Sequence, residues 1–395
     1  MNDGGVPDDV NSMFFAIPEE SRGKIYTRNG PRFCNRDKYI ERYLNLLDMI
    51  TTVVKSRHRL RASANIAVGG LIIENAFIFI VFLILRIPYI IMPNSQLNQW
   101  SLKNKVFFES PIVDQSSYNK VIDKMWLYAK IRLIKTKVSI YGKHVYAYIL
   151  MPFFLHFSKG VLVLSEFERK QISALANIKS NKFLVSPLGF TPDKERKVSD
   201  RYMSHYKGFL NIVYWGRIDY RNKGIDRIIP ALFKERDSIE KMRVKFHFLG
   251  PGYNNGREEL KAALSGKEKM DFVVLPSEDE IKDIDLGGLV YSDAVIFPTR
   301  WDGYPRALRE STYYGVPVIV SEESNYWDMV DNGTQVYPMK HINDTSTFPE
   351  ELLEILERLN VDKSAKERRV NNSFSWEKRA GQMTGALISF FKKKC

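Results

Sequence analysis

The chain has 395 residues, of which 44% are hydrophobic and 27% charged, and its formal net charge is +13. This length fits two domains with separate cores, and the composition excludes a disordered chain. Its two cysteines, Cys34 and Cys395, exclude a disulfide framework, and the histidines and cysteines lack the spacing of a structural zinc site. The positive charge predicts a negatively charged partner, such as a phosphorylated substrate, nucleic acid or an acidic membrane surface.

An apolar run in the first half of the chain, residues 69–92, is interpreted as a helix followed by a strand. Glu74, Asn75 and Arg86 interrupt it, which leaves Ala76 to Leu85 as the uninterrupted part. A membrane span needs about 20 mostly apolar residues. The run therefore favours a buried helix in a soluble domain, with a membrane span as the alternative. We also expect no secretory signal, because the first thirteen residues are polar and acidic.

The rest of the first half predicts a second α/β domain. Short apolar segments bounded by polar residues indicate buried strands, with helical stretches between them. The predicted strands are 66–68, 89–92, 160–164 and 183–186. The charged and polar stretch 193–202 is then interpreted as a linker.

The segment from Ser101 to Val145 concentrates the positive charge of the first half. It contains nine Lys or Arg against three Asp or Glu, with aromatic residues between them. Such a surface suits an anionic membrane and a lipid-linked acceptor, while the alternative is a solvated helical face. Nucleic acid is less favoured, because no recognition module accompanies the charge.

From about residue 210 the pattern alternates regularly between strands and helices. Short strands separated by helices of roughly ten residues predict βαβ units and a doubly wound parallel sheet. The predicted strands are 210–214, 244–249, 272–275, 294–297 and 316–320, and the predicted helices are 225–234, 258–264 and 306–313.

The loop after the first of these strands carries two cations that suit a diphosphate. Gly216 lets the backbone turn, and Arg217 and Lys223 follow on one loop that leads into a helix. A guanidinium and an ammonium near a helix start form a clamp for phosphate groups. The alternative is that both are solvated loop cations.

The segment 297–321 predicts a strand, a loop, a helix and a second strand, with two carboxylates around the helix start. The amides of Gly303 and Tyr304 lie at that start, where anions bind, at the carboxyl end of a strand. Asp302 and Glu310 suit sugar hydroxyls, so the segment indicates a sugar attached to a phosphate. The alternatives are that Glu310 pairs with Arg306 on the surface and that Asp302 is a turn residue.

With these motifs the chain resembles the retaining, nucleotide-sugar-dependent glycosyltransferases of the GT-B architecture, glycosyltransferase family 4. The last motif corresponds to the family's Glu-x7-Glu pattern. The resemblance is specific in the second half and weaker in the first. The matching segments are 216–224, the turn at Gly250, 302–310, 315–319, 87–97, 187–190 and 374–376.

The resemblance implies a role for each motif. Arg217 and Lys223 would hold the diphosphate and neutralise the leaving nucleotide, so that no metal or other cofactor is expected. Asp302 would act with these two cations as the third catalytic residue, by binding the donor sugar. The other donor-binding residues would be Gly216, Gly303, Tyr304, Glu310 for the ribose, and Leu275 and Pro276 beside the base.

The chain departs from the family pattern at three places. Asp302 stands where the family usually has Glu, so its carboxylate reaches one methylene less far. Asn94 stands where the family commonly has a His near the reacting sugar, and Asn cannot titrate. Gly4 and Gly5 resemble the Gly-rich loop of the first domain, but no strand precedes them. This leaves open whether the first domain lacks its first strand.

Together these observations predict an α/β protein of GT-B architecture, with two Rossmann-like doubly wound domains facing a central cleft. Residues 1–203 would form the acceptor-side domain, 204–373 the nucleotide-sugar domain, and 374–395 a closing helix on the first domain. The predicted activity is transfer of a sugar, with retention, from a nucleotide-diphosphate donor to a glycan or lipid-linked acceptor. The setting would be bacterial polysaccharide assembly, in the cytoplasm or at the inner face of the plasma membrane.

Three other functions remain open from the sequence. The departures at Asn94 and at the amino-terminal glycines allow a sugar-nucleotide-binding protein without transferase activity. The positive charge allows a basic nucleic-acid-binding α/β protein. A nucleotide-sugar epimerase shares the architecture, but it would bring titratable acid and base residues into the cleft.

Overall fold

Parallel strands connected by helices form both halves of the chain in the computed structural model. The chain divides into two compact units, residues 1–188 with 379–395 and residues 189–378. The predicted linker, 193–202, lies outside the described residues. The structure describes residues 25–27, 40–42, 46–61, 65–68, 73–92, 150–187, 189, 206–253, 255–265, 270–277, 280, 287–300, 305–322, 330, 334–362, 379, 381–383, 385–387 and 390.

In its described part, the first unit contains a two-stranded and a four-stranded parallel sheet. Its elements are β1 (Ile25–Thr27), β2 (Ile40–Arg42), α1 (Leu46–Lys55), α2 (Arg57–Arg61), β3 (Asn65–Val68), α3 (Ile73–Ile84), β4 (Tyr89–Met92), α4 (Met151–Phe157), β5 (Gly160–Val163), α5 (Glu166–Ala176) and β6 (Phe183–Val185). Strands β3 to β6 lie side by side in chain order. The four strands predicted for this half are therefore confirmed.

Within the apolar run at 69–92, Ile73–Ile84 forms α3 and Tyr89–Met92 forms β4, as predicted. Phe79 and Phe82 of α3 pack against Tyr89 of β4, with ring centroids 5.5 and 5.7 Å from that of Tyr89. Ile80 and Ile84 are 42% and 73% exposed, so the prediction of a buried helix is correct for one face only. In the described part of the chain, no helix has the length and apolar character needed to cross a membrane.

The second unit is built on a six-stranded parallel sheet in the order β12-β11-β10-β7-β8-β9. Its elements are β7 (Leu210–Trp215), α6 (Ile225–Lys234), α7 (Arg236–Lys241), β8 (Val244–Leu249), α8 (Gly256–Leu264), β9 (Val273–Val274), α9 (Gly287–Val290), β10 (Ala294–Phe297), α10 (Arg306–Tyr313), β11 (Val318–Ser321), β12 (Val336–Met339) and α11 (Phe348–Asp362). The chain enters in the middle of the sheet, builds outward to β9, and then returns to build the other half. This is the doubly wound order of dinucleotide-binding folds.

The core of the second unit lies between this sheet and the helices that cover it. Strands β10 and β11 are buried along their whole length, as expected for parallel strands with helices on both faces. Helix α6 contributes Ile225, Ile228 and Leu232, each fully buried against the sheet. Each such side chain stabilises the fold by about 1.5–3 kcal/mol. The sheet is therefore a rigid support for the loops that follow its strands.

Alkaline pH is expected to destabilise both units, because each one buries a tyrosine. Burial raises the pKa of Tyr89; burial, followed by the hydrogen bond to Asp362, raises the pKa of Tyr337. The folded state then keeps a proton that the unfolded chain releases near pH 10, so stability is complete below about pH 10 and falls above it. Urea melts across this pH range should show that the free energy of unfolding falls less steeply with pH in Tyr89→Phe and Tyr337→Phe than in the unchanged chain. Tyr291→Phe, at an exposed tyrosine, is the control, and equal slopes in all variants would contradict the prediction.

Several predicted features fall outside the described residues. These are the basic segment 101–145 and the acceptor-side residues Asn94, Gly4 and Gly5, so their roles stay predictions. Near the C-terminus the described residues between 379 and 390 are helical and group with the first unit. There the ring of Phe390 lies directly against Gly160 at the start of β5.

Candidate functional site

The chain reverses its winding direction between β7 and β10, and Gly216, Arg217, Lys223 and Glu310 lie on the segments that follow these two strands. The two strands are parallel neighbours in the middle of the sheet. Helix α6 follows the loop after β7, and α10 follows the loop after β10. Open α/β sheets bind ligands in the crevice beyond the carboxyl ends of two such strands.

The loop after β7 is fixed by backbone hydrogen bonds to the loop after β8. Gly216 has a φ of +134°, which favours glycine, and its amide donates to the Leu249 carbonyl at 3.0 Å. The Ile218 amide donates to the Pro251 carbonyl at 2.8 Å, and the Tyr253 amide donates to the Ile218 carbonyl at 3.0 Å. These contacts hold the backbone on both sides of Arg217 in one conformation.

Arg217 is held by two tyrosines. Its guanidinium carbon lies 4.0 Å from the centroid of the Tyr253 ring, and its carbonyl accepts a hydrogen bond of 2.7 Å from the Tyr214 hydroxyl. A cation over an aromatic face is favoured by about 0.5–1 kcal/mol at an exposed site. The side chain is half-buried, so its charge is oriented by the protein and still reaches solvent.

Lys223 lies at the other end of the same loop, directly before α6. Its amide donates to the Asp219 carbonyl at 3.0 Å, and Gly224 then enters the helix with a φ of +68°. Gly224 packs so closely on Pro298 that any Cβ would clash with the Pro298 carbonyl. The structure therefore carries Lys223 and Arg217 on one loop and ties that loop to the end of β10.

Glu310 is buried and accepts two hydrogen bonds. The Trp215 indole N–H donates to its Oε2 at 2.6 Å, and the Arg306 Nε donates to its Oε1 at 3.0 Å. The predicted pairing with Arg306 is present, but it is not a surface pair at the Glu310 end, because that side chain is only 7% exposed. The contact with Trp215 was not predicted from the sequence.

The backbone that leaves β10 is held by α6. Arg300 forms a bidentate ion pair with Asp226 at 2.6 and 2.8 Å, and Arg227 donates to the Pro298 carbonyl. Neither contact was predicted from the sequence, because they join residues 74 and 71 positions apart. The next residues, Trp301 to Tyr304, are outside the described part of the chain, so Asp302, Gly303 and Tyr304 keep their roles as predictions.

Leu275 and Pro276 follow β9 at the same edge of the sheet. Leu275 packs on the core and is half-buried, and Pro276 is buried. Strand β9 is two strands from β7, a distance of about 10 Å. A nucleoside can span this distance, but the contact with a base stays a prediction.

Two other features near the site concern ligands. In the part of the chain that the structure describes, no group of three His, Cys, Asp or Glu residues could hold a metal ion. A pocket of about 240 Å³ lies between the start of α6 and the start of α11, with Asp226, Arg227 and Asn343 in its wall. Arg300 also lines this pocket, and none of the predicted site residues does.

Comparison with known proteins supports the fold and identifies a domain. Residues 210–358, less than half of the chain, match the family model described as Glycosyl transferases group 1. The search of curated proteins gave no match. Three similar solved structures are the lipopolysaccharide outer core galactosyltransferase WaaB in its apo form, sucrose-phosphate synthase from Thermosynechococcus elongatus, and HepE from Anabaena in complex with UDP.

These structures align with nearly the whole chain at low identity. WaaB shares 13% identity with a TM-score of 0.62, over 98% of this chain and 96% of its own. Sucrose-phosphate synthase shares 14% with a TM-score of 0.64, over 99% and 94%. HepE shares 14% with a TM-score of 0.58, over 98% and 97%. The predicted fold, parallel-sheet Rossmann-like α/β domains of GT-B architecture, is confirmed.

Proposed function

We propose that the chain is a glycosyltransferase that moves a sugar from a nucleotide-diphosphate donor to a glycan or lipid-linked acceptor. The observation that carries this proposal is the convergence of Arg217, Lys223 and Glu310 at the carboxyl edge of one doubly wound sheet. The match of residues 210–358 to the group 1 glycosyl transferases supports it. So does the presence of UDP in a structure of similar fold.

In the proposed site the chain's own cations replace a metal. Arg217 and Lys223 bind the diphosphate and stabilise the negative charge that develops on the departing nucleotide. Glu310 accepts hydrogen bonds from the ribose, Asp302 holds the donor sugar, and Leu275 and Pro276 flank the base. Catalysis then consists of electrostatic stabilisation and positioning of the two substrates.

The finer parts of the proposal rest on the sequence. The spacing of Asp302 and Glu310 supports membership of glycosyltransferase family 4 and transfer with retention. The basic, aromatic segment 101–145 supports a peripheral contact with an anionic membrane, a lipid-linked acceptor and a place at the cytoplasmic face. A lipopolysaccharide galactosyltransferase of similar fold supports a setting in bacterial polysaccharide assembly.

A thermal-shift screen against UDP-, GDP-, ADP- and dTDP-sugars tests donor binding. A donor at 100 times its Kd should stabilise the chain by about 2.7 kcal/mol and so raise its Tm. Lys223→Ala should abolish the largest shift and leave the Tm without ligand nearly unchanged. Arg221→Ala is the matched control, because Arg221 is exposed on the same loop and pairs with Glu259 at 3.8 Å. A full shift in Lys223→Ala would contradict the assignment.

Transfer assays with the best donor separate a transferase from a sugar-nucleotide-binding protein and from a nucleic-acid-binding protein. Release of the nucleoside diphosphate that depends on an added glycan or lipid-linked acceptor supports a transferase. Donor binding without turnover across several acceptors indicates a binding protein. A salt-sensitive complex with an oligonucleotide that Arg217→Ala leaves unchanged favours the nucleic-acid-binding function.

A further inference from the structure

The hydrogen bond between Trp215 and Glu310 joins the two halves of the doubly wound sheet at their switch point. Trp215 ends β7, and Glu310 lies on the second turn of α10, 95 positions later in the chain. The bond is short, at 2.6 Å, and one of its partners is a buried carboxylate. The indole itself packs beside Val213, Leu249 and Tyr206, so its position is fixed by a small apolar cluster.

The two donors to Glu310 bind different oxygens. Trp215 donates to Oε2, while Arg306 donates to Oε1 at 3.0 Å. A carboxylate rotates readily about its last bond unless both oxygens are engaged. Here both are engaged, so the plane of the carboxylate is set by groups on two separate elements.

A carboxylate fixed in this way keeps an acceptor position on each oxygen. An ionised carboxylate has about four acceptor positions, of which the two described bonds use one on each oxygen. Two adjacent hydroxyl groups could therefore donate to it together. The 2′- and 3′-hydroxyls of a ribose form such a pair, whereas a 2′-deoxyribose offers one hydroxyl and leaves the other position unpaired.

We propose that Trp215 is a positioning residue which, with Arg306, orients Glu310 and thereby makes the donor site selective for ribonucleotides over 2′-deoxyribonucleotides. The inference rests on the proposed function, since it assigns a specificity to the same donor site. Trp215 acts through Glu310 and is not a catalytic residue. A site built to bind a hydroxyl rejects the analogue without it, because its own polar group loses its partner.

Calorimetric titration of the full chain with UDP, GDP and ADP, and with the 2′-deoxy form of each, tests this selectivity. For the tightest of the three, the unchanged chain should bind the ribonucleotide ~10-fold or more tightly than the deoxy form. Trp215→Phe keeps an aromatic ring and removes the N–H. It should weaken the ribonucleotide ~10-fold and the deoxy form less than ~2-fold, so that the ratio of the two Kd values approaches one.

Two further variants keep the result independent of stability. Leu352→Ala removes a buried side chain of α11, outside the cluster that holds the indole, so it should lower the Tm and leave the ratio of Kd values unchanged. Arg306→Met changes an exposed side chain and removes the other donor. This variant alone should bring the ratio of the two Kd values closer to one, so the test holds even if Trp215→Phe fails to fold.

The outcomes separate this inference from the proposed function. If the unchanged chain binds none of the six nucleotides, the donor site and the inference both fail. If it binds ribonucleotide and deoxyribonucleotide equally, or if Trp215→Phe and Arg306→Met both keep the original ratio, the inference alone is overturned. In that case the hydrogen bond only connects β7 to α10, while the diphosphate site of Arg217 and Lys223 stands.

Discussion

Replacing Arg217 with alanine is expected to lower the turnover of sugar transfer by about 100-fold or more, because the departing nucleotide loses a fixed cation. The guanidinium is oriented by the Tyr253 ring at 4.0 Å, and the backbone of Arg217 is held by Tyr214. Its charge therefore needs little reorganisation as the leaving group forms. Steady-state release of the nucleoside diphosphate, at saturating donor and acceptor, measures the effect on kcat.

Two variants control for the loss of charge. Arg217→Lys keeps the charge but lacks the planar group that stacks on Tyr253, so an intermediate loss is expected. Arg236→Ala removes the same charge from α7, where Arg236 pairs with Glu240 at 3.1 Å, before the amino end of β8. It should leave kcat within about 2-fold, since a surface ion pair contributes little. Full activity in Arg217→Ala would refute the diphosphate role.

Replacing Gly250 with alanine is expected to remove donor binding and to destabilise the second unit by about 2–4 kcal/mol. A Cβ on Gly250 would lie 2.6 Å from the carbonyl carbon of Gly216 and 3.3 Å from the Arg217 amide. These are backbone atoms and cannot turn away, so the ends of β7 and β8 must separate. The backbone that holds Arg217 would shift with them.

Gly381→Ala is the matched control for Gly250→Ala. A Cβ at this helical position meets no atom within 4 Å, so stability should stay the same or rise by up to about 1 kcal/mol. Urea melts measure the stability of both variants, and thermal shift with the best donor measures binding. Unchanged stability together with normal donor binding in Gly250→Ala would show that the close approach of the two loops is not needed.

The frame of the second unit was predictable because local patterns and tertiary structure agree there. The helices Ile225–Lys234 and Arg306–Tyr313 and the strands Val244–Leu249 and Ala294–Phe297 have the bounds predicted for them. The two strands are mostly apolar segments bounded by charge, glycine or proline, and the two helices begin directly after Gly224 and Pro305. β12 was missed, because Val336–Met339 alternates in burial and contains a proline.

The placement of Arg217 and Lys223 on one loop could be predicted from the sequence, whereas the contacts around the candidate site could not. Arg217 and Lys223 were recognisable because they lie on one loop between a strand and a helix. The bond between Trp215 and Glu310 joins residues 95 positions apart, and no local pattern marks it. The same holds for Asp226 and Arg300, whose ion pair forms only when α6 and the end of β10 come together. Long-range polar contacts depend on the finished fold.

A crystal structure of the chain with the nucleoside diphosphate that binds most tightly tests the central claim most directly. We expect phosphate oxygens within hydrogen-bond distance of Arg217 and Lys223, and ribose hydroxyls at the Glu310 carboxylate. A well-ordered nucleotide elsewhere, such as in the pocket between α6 and α11, would contradict it. So would a diphosphate at the sheet edge that contacts neither cation.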